Sequence, residues 1–191
     1  RCFLHIVNLT CQAVEMAIDQ ISYPSALNMG ALGNIDQNPI ANLRTLIRSV
    51  SEIQLGPLQL PCDVDIRWSS TDIMIEHAIL LCRANELFLQ SQEQRELHKY
   101  KPSDDEWTVL KLFHEILKVP HAFQHRLSAE KTLTLCDALP AFSAFLLHWC
   151  SLQQTMPEME EVIEAGLDKL EDYFGKVMNI PAYIFSMSKL V

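Results

Sequence analysis

The amino-acid sequence predicts a mainly α-helical fold. Apolar residues recur every three or four positions over most of the 191 residues, as on the buried face of an amphipathic helix. The residues that interrupt helices, among them only 5 Gly and 9 Pro, gather in a few short segments. No series of alternating apolar and polar residues separated by tight turns predicts a β-sheet.

The first two helices are separated by a long segment without helical pattern. Residues 3–21 have the spacing of an amphipathic helix, although residues 1–4 are also compatible with the end of a strand. Residues 22–39 collect Pro, Gly, Asn and Ser, which predicts a loop and a domain boundary. Residues 40–53 predict the second helix, which carries two arginines four positions apart and therefore on one face.

The third helix is predicted to follow a polar window that ends at Trp68. We expect Ser69, Ser70 or Thr71 to cap this helix, because a Ser or Thr hydroxyl accepts a hydrogen bond from the free backbone N–H groups of a first turn. Its apolar positions continue toward Leu89. The sequence therefore predicts one long, buried helix.

The later helices have clearer boundaries. Ser103, followed by Glu106, matches a capping box and predicts a helix start. Pro120 predicts the end of that helix, because proline lacks the backbone N–H that continues the hydrogen-bond pattern. Further helices are predicted at residues 132–154 and 157–176, with a short apolar piece at 180–190.

Composition and charge limit the classes of function. Hydrophobic residues make up 49% of the chain, which is enough to bury a core. There is neither a signal peptide nor an uncharged apolar run of about 18 residues, so we expect a soluble intracellular protein. The 6 widely spaced cysteines favour buried thiols over disulfides. Arg1 at the start and Val191 at the end suggest a segment of a longer protein.

The net charge of -9 argues against non-specific DNA binding through the whole surface. Such binding depends on Lys and Arg side chains that neutralise phosphates. A local basic face is still compatible with this charge.

Several residues have the spacing of metal sites, but a simpler interpretation is favoured for each. Cys2 and His5 are spaced as C-x-x-H, yet no second close pair completes the four ligands of structural zinc. Asp63 and Asp65 would point the same way in an extended segment, although acids are also common before a helix. Three histidines without a neighbouring H-E-x-x-H motif are expected on the surface or at an interface: His114, His121 and His125.

Arg67 and Trp68 form the strongest candidate for a binding contact. A tryptophan in a polar loop offers a plane for base stacking, and an adjacent arginine can pair with phosphate. Burial of Trp68 in the core is the alternative, which the residues alone leave open.

Two motifs in order along the chain carry a family resemblance. "RCFLHIVNL" at residues 1–9 is similar to a C-x-x-H element, and "LPCDVDIRWSST" at residues 60–71 is similar to an element ending in Arg-Trp-Asn-Ser-Thr. With the intervening "LRTLIRSV" and the helical stretches that follow, the chain resembles the hAT superfamily of DNA transposases. Ile66 and Ser69 depart from the usual Thr and Asn of the second motif.

The resemblance implies a mainly α segment of a larger enzyme. In that family an RNase H-like catalytic domain is interrupted by a multi-helix insertion, which would give this chain an edge of the RNase H-like core at residues 1–21, a loop at 22–39 and the all-helical insertion region at 40–191. The three acids that hold Mg²⁺ in the family would lie before Arg1 and after Val191. We therefore expect no catalytic residue, metal site or cofactor in this chain, and no activity of the chain alone.

The resemblance also implies contact with the DNA of transposon ends in a nuclear parent protein. Trp68 would stack on bases at the cleaved end, and Arg67 would pair with a phosphate. The implied nucleic-acid-binding residues are His5, Arg44, Arg48, Arg67, Trp68 and Ser69. The alternative, favoured by the acidic balance, is a transposase-derived helical module that binds a protein partner or a second copy of itself. Neither function involves a membrane.

Overall fold

A computed structural model describes residues 3–20, 38–52, 68–128 and 135–181. These ranges are mainly helical and contain no strand, which confirms the predicted mainly α fold. The elements are α1 (Phe3–Gln20), α2 (Pro39–Glu52), α3 (Trp68–Leu80), α4 (Cys82–Leu89), a long 3₁₀ helix (Gln92–Tyr100), α5 (Asp104–Ser128), α6 (Leu135–Thr155), a 3₁₀ turn (Pro157–Met159) and α7 (Glu160–Met178).

The chain divides into two compact units. The first unit combines residues 1–20 with 116–191, and the second unit consists of residues 21–115. One boundary falls inside α5, where no break in the sequence pattern predicts it. The division into a core edge, a loop and an insertion stays a prediction about the parent protein.

The first unit is built on α7, against which α1 and α6 pack. Gly166 lies where α7 meets Val14 of α1 and Trp149 of α6. A side chain at this position would collide with both neighbours, so the glycine permits the close approach of three helices. The buried side of α7 has helical spacing and consists of Val162, Ile163, Gly166, Leu167, Leu170 and Tyr173.

Helix α5 continues through Pro120, so the predicted end at this residue is wrong. Proline lacks the N–H group that would bond to the carbonyl of Ile116, four residues earlier. The indole Nε1–H of Trp149 donates to that carbonyl instead, over 3.1 Å in a buried position. Because a distant side chain satisfies the Ile116 carbonyl, the helix continues to Ser128.

The second unit contains a small core between α2 and the long 3₁₀ helix. Helix α2 begins at Pro39, and the Asn38 side-chain Oδ1 accepts a hydrogen bond of 2.8 Å from the N–H of Ile40. Its apolar face then packs on the 3₁₀ helix. The core consists of the buried Leu46, Leu89 and Leu97 with the partly buried Val50, Phe88 and Tyr100.

The predicted capping box at the start of α5 is confirmed. The N–H of Ser103 donates to Glu106 Oε2 over 2.7 Å, and the N–H of Glu106 donates to Ser103 Oγ over 3.1 Å. These reciprocal bonds satisfy two of the free N–H groups at the helix start.

Two helix starts differ from the predictions. Helix α1 includes Phe3 and Leu4, so these residues do not end a strand, and residues 1 and 2 lie outside the described residues. The predicted third helix is divided into α3 and α4 at Leu81, whose backbone angles of φ -99° and ψ 9° leave the helical range. Helix α3 already includes Trp68, and the proposed caps at Ser69, Ser70 and Thr71 therefore lie inside the helix.

The remaining predicted elements fall mostly where they were expected. The helices at 132–154 and 157–176 correspond to α6 and to the 3₁₀ turn followed by α7. Most of the predicted loop at 22–39 and of the apolar piece at 180–190 lies outside the described residues. Among the described helices, none has an apolar stretch long enough to cross a lipid bilayer.

Candidate nucleic-acid interface

The residues predicted to contact DNA fall on three helices. His5 lies exposed on α1 in the first unit. In the second unit, Arg44 and Arg48 lie one turn apart on α2, and Trp68 and Ser69 begin α3. Arg67 lies outside the described residues, as do Asp63 and Asp65.

Trp68 is buried in the second unit, with only 3% of its surface exposed. A tryptophan that stacks on a base needs one open face of its indole ring. In this conformation Trp68 instead contributes to the core at the start of α3. Ser69, the next residue, is partly exposed and accessible to a ligand.

Arg44 connects α2 to the first turns of α3. Its guanidinium Nη2–H donates to the hydroxyl Oγ1 of Thr71 over 3.3 Å. Thr71 is buried and lies one turn after Trp68. Arg44 is thus partly engaged in holding α3, whereas Arg48, one turn further along α2, is exposed.

The residue after Thr71 forms a second connection, which the sequence did not predict. The His114 Nδ1–H on α5 donates to Asp72 Oδ1 over 2.8 Å. Asp72 is only 2% exposed and the His114 side chain 16% exposed. We call the four residues Arg44, Thr71, Asp72 and His114 the Thr71–Asp72 cluster. It joins α2, α3 and α5 within the second unit.

The Asp72 carboxylate sets the protonation of His114. The hydrogen bond to Asp72 raises the pKa of His114 above the ordinary 6.5, burial lowers it, and the nearby charges of Asp72, Glu115 and Glu76 raise it further. The raised pKa is the net result. Protonated His114 therefore gives a charge-assisted hydrogen bond between two helices, which is stronger than a neutral one.

The position of Asp72 in the sequence indicated that this residue has a polar partner. The carboxylate lies one turn after Trp68, in a helix that also carries the apolar and buried Met74, Ile75 and Ala78. A buried carboxylate needs a hydrogen-bonding or charged partner. The pattern did not identify His114 as that partner, because 42 positions separate the two residues.

The described residues do not resemble a metal centre. Within them, no group of three or more His, Cys, Asp or Glu side chains is arranged to hold a metal ion. Cys2 lies outside the described residues, and the thiol of Cys11 is buried and not in a disulfide.

Comparison with known proteins adds no relative. No family model, no curated protein and no solved structure matches this chain.

Proposed function

We propose that this chain is a segment of a hAT-type DNA transposase that binds DNA in its nuclear parent protein and lacks the catalytic acidic triad. The observation that carries the proposal is the order of two motifs, the C-x-x-H element at residues 1–9 and the Arg-Trp element at residues 60–71. The helices after the second motif are compatible with the all-helical insertion of that family. In the proposal, residues 1–21 form an edge of the RNase H-like core.

In the proposed interface, the residues that hold helix α3 in place differ from the residues that contact DNA. Trp68 anchors the start of α3, and the Thr71–Asp72 cluster holds the next turn of this helix against α2 and α5. In this proposal, DNA is contacted by Arg67 and Ser69, the neighbours of Trp68 in sequence, and by the exposed Arg48. Cationic and hydroxyl side chains are typical ligands of phosphate oxygens. Stacking of Trp68 on a base requires its release from the core.

DNA binding by the full-length protein tests the interface. Arg67→Ala is expected to weaken binding to hairpin-ended transposon DNA and to reduce the salt dependence by about one unit of slope, because one phosphate contact is lost. Arg83→Ala is the matched control, since Arg83 is an exposed arginine on α4 and lies outside the Arg-Trp element in the sequence. Equal binding by the two variants would refute the role of Arg67.

Trp68→Ala distinguishes anchoring from stacking. As an anchor, Trp68 contributes mainly to stability, and its removal is expected to lower the free energy of unfolding by about 3–5 kcal/mol. Loss of a base stack would instead weaken DNA binding by about 1–3 kcal/mol with little change in stability. Thermal unfolding and DNA titration of the same variant separate the two outcomes.

Cleavage and localisation give two further tests. In the family, Mg²⁺ stabilises the charge that develops on the attacking and leaving oxygens of the phosphodiester. Since the resemblance places the metal-binding acids outside this chain, the chain alone is expected to show no cleavage of transposon-end DNA with Mg²⁺. Turnover above the protein-free blank would contradict this expectation.

The tagged parent protein is expected in the nucleus. Its exclusion from the nucleus would contradict the proposed localisation.

A transposase-derived protein-interaction module is the second candidate. Leu80 at the end of α3 and Leu87 on α4 are 72% and 67% exposed. A contiguous patch of exposed apolar side chains is typical of a protein interaction site, and this candidate function requires Leu80 and Leu87 to belong to one such patch. The net charge of -9 disfavours DNA. If this candidate holds, Leu80→Glu with Leu87→Glu is expected to abolish self-association or partner binding in sedimentation measurements. A wild-type chain that stays monomeric and binds no protein in its parent cell extract would exclude it.

A further inference from the structure

The long 3₁₀ helix at Gln92–Tyr100 sorts its side chains into separate stripes. A 3₁₀ helix has 3.0 residues per turn, so residues three apart lie directly above one another. Leu97 and Tyr100 belong to the stripe that packs on the core of the second unit. The following positions, Arg95 and His98, form a neighbouring stripe that is exposed.

Lys101 extends this exposed stripe by one position. It follows the last residue of the 3₁₀ helix, and its N–H donates to the His98 carbonyl over 3.1 Å, which continues the 3₁₀ hydrogen-bond pattern. Lys101 is exposed, as are the two residues before it in the stripe. We call Arg95, His98 and Lys101 the 3₁₀ basic stripe. None of its side chains forms a hydrogen bond or ion pair with another described residue.

The spacing of the 3₁₀ basic stripe suits a linear polyanion. With a rise of about 2 Å per residue, successive side chains are about 6 Å apart and the stripe spans about 12 Å. Each strand of B-DNA carries one phosphate per roughly 3.4 Å of helix axis. The stripe therefore covers the axial length of three to four phosphates.

The local surroundings favour nucleic acid over a membrane surface. Proteins that bind anionic membranes through a helix insert an apolar face beside the cations. In the 3₁₀ helix that apolar face, Leu97 and Tyr100, already packs on Leu46 and Leu89. The exposed side chains of this helix at the described positions are polar. They include Glu96 and Lys99, which form the third stripe of the 3₁₀ helix.

We infer that the 3₁₀ basic stripe binds the sugar-phosphate backbone of nucleic acid without reading its sequence. The inference rests on the proposed function and deepens it, because it supplies backbone contacts separate from the Arg-Trp element. The net charge of -9 repels a polyanion over the rest of the surface, so the binding is local, weak and steeply dependent on salt.

Fluorescence anisotropy of a labelled DNA duplex with the whole chain tests this inference. The double variant Arg95→Gln with Lys101→Gln removes two charges from the stripe. The matched control, Arg83→Gln with Lys111→Gln, removes two exposed charges of the same unit from helices α4 and α5. The stripe variant is expected to bind about tenfold more weakly at low salt and to lose nearly two units of salt slope. The control is expected to bind within about twofold of the wild type.

Each other outcome overturns the inference. Equal weakening by both double variants would show a general charge effect, and no change in either would show that the stripe makes no contact. A wild-type chain that does not bind the duplex, or that binds anionic vesicles equally well, would also refute it. These failures leave the proposed function in place, because that proposal rests on the order of the two sequence motifs and is tested separately by Arg67→Ala in the full-length protein. Circular dichroism and thermal unfolding of the variants exclude misfolding as the cause.

Discussion

Replacement of glycine by alanine is expected to have opposite effects on stability at two positions of α7. At Gly166, an added Cβ would lie 2.6 Å from Val14 Cγ2 and 2.9 Å from Trp149 Cη2, and closer still to Trp149 Cζ3. At Gly175, an added Cβ would meet no atom within 4 Å. Both positions lie within α7, so alanine has the better helix propensity at each, with a smaller gain at Gly175 near the end of the helix, and the main difference is the packing.

The magnitudes follow from these contacts. Replacing Gly by Ala in a helix stabilises the folded state by about 0.5–1 kcal/mol. For Gly175→Ala no other effect is expected. At Gly166 the clash involves the buried ring of Trp149, whose indole is held by its hydrogen bond to the Ile116 carbonyl. Overpacking of this kind costs about 1–3 kcal/mol or more, which exceeds the gain in propensity. We therefore expect Gly166→Ala to destabilise by about 1–2 kcal/mol net.

Thermal and urea unfolding followed by circular dichroism measures both variants. For a chain of this length, 1 kcal/mol corresponds to a shift in Tm of about 2–4 °C. Gly166→Ala is expected to unfold at a lower temperature than the wild type and Gly175→Ala at a slightly higher one. Equal stabilisation by both substitutions would show that α1, α6 and α7 do not approach one another as closely as the structure has them.

Three further predictions concern single hydrogen bonds. Because the folded state raises the pKa of His114, its bond to Asp72 contributes fully below pH 6.5 and is lost as pH rises through the raised pKa. The stability difference between wild type and His114→Gln in urea unfolding is thus expected to shrink from pH 6 to pH 9, and a difference that grows would refute the pairing. Trp149→Phe leaves the Ile116 carbonyl buried without its donor and is expected to cost about 1–3 kcal/mol in the same assay. Ser103→Ala removes the cap of α5 and is expected to cost about 1 kcal/mol, whereas no loss would contradict the capping box.

Local sequence chemistry was sufficient for most helices of the described chain. Apolar spacing placed α1 and α2 within a residue or two of their observed bounds, because each helix buries one face. The capping box identified the start of α5 since both of its bonds join residues three apart. Such signals involve neighbours in sequence and can be read without knowledge of the fold.

Contacts between distant residues account for the differences. Pro120 does not end α5 because Trp149, far along the chain, supplies the missing donor. The partner of Asp72 is 42 positions away, so no local pattern identifies it. The burial of Trp68 likewise depends on how the second unit packs, and the residues alone left open whether it lies in the core or at a binding surface.

The central claim is that this chain is a segment of a hAT-type transposase. The protein sequence encoded on either side of the chain tests this claim most directly. A hAT-type transposase segment requires two separated acidic residues encoded before Arg1 and a third encoded after Val191, because these residues hold the metal in the family. Sequencing the full transcript from its source is expected to show all three acids in one continuous frame. A continuous frame that lacks them, in an otherwise intact gene, would contradict the assignment to an active transposase and favour a helical protein-interaction module.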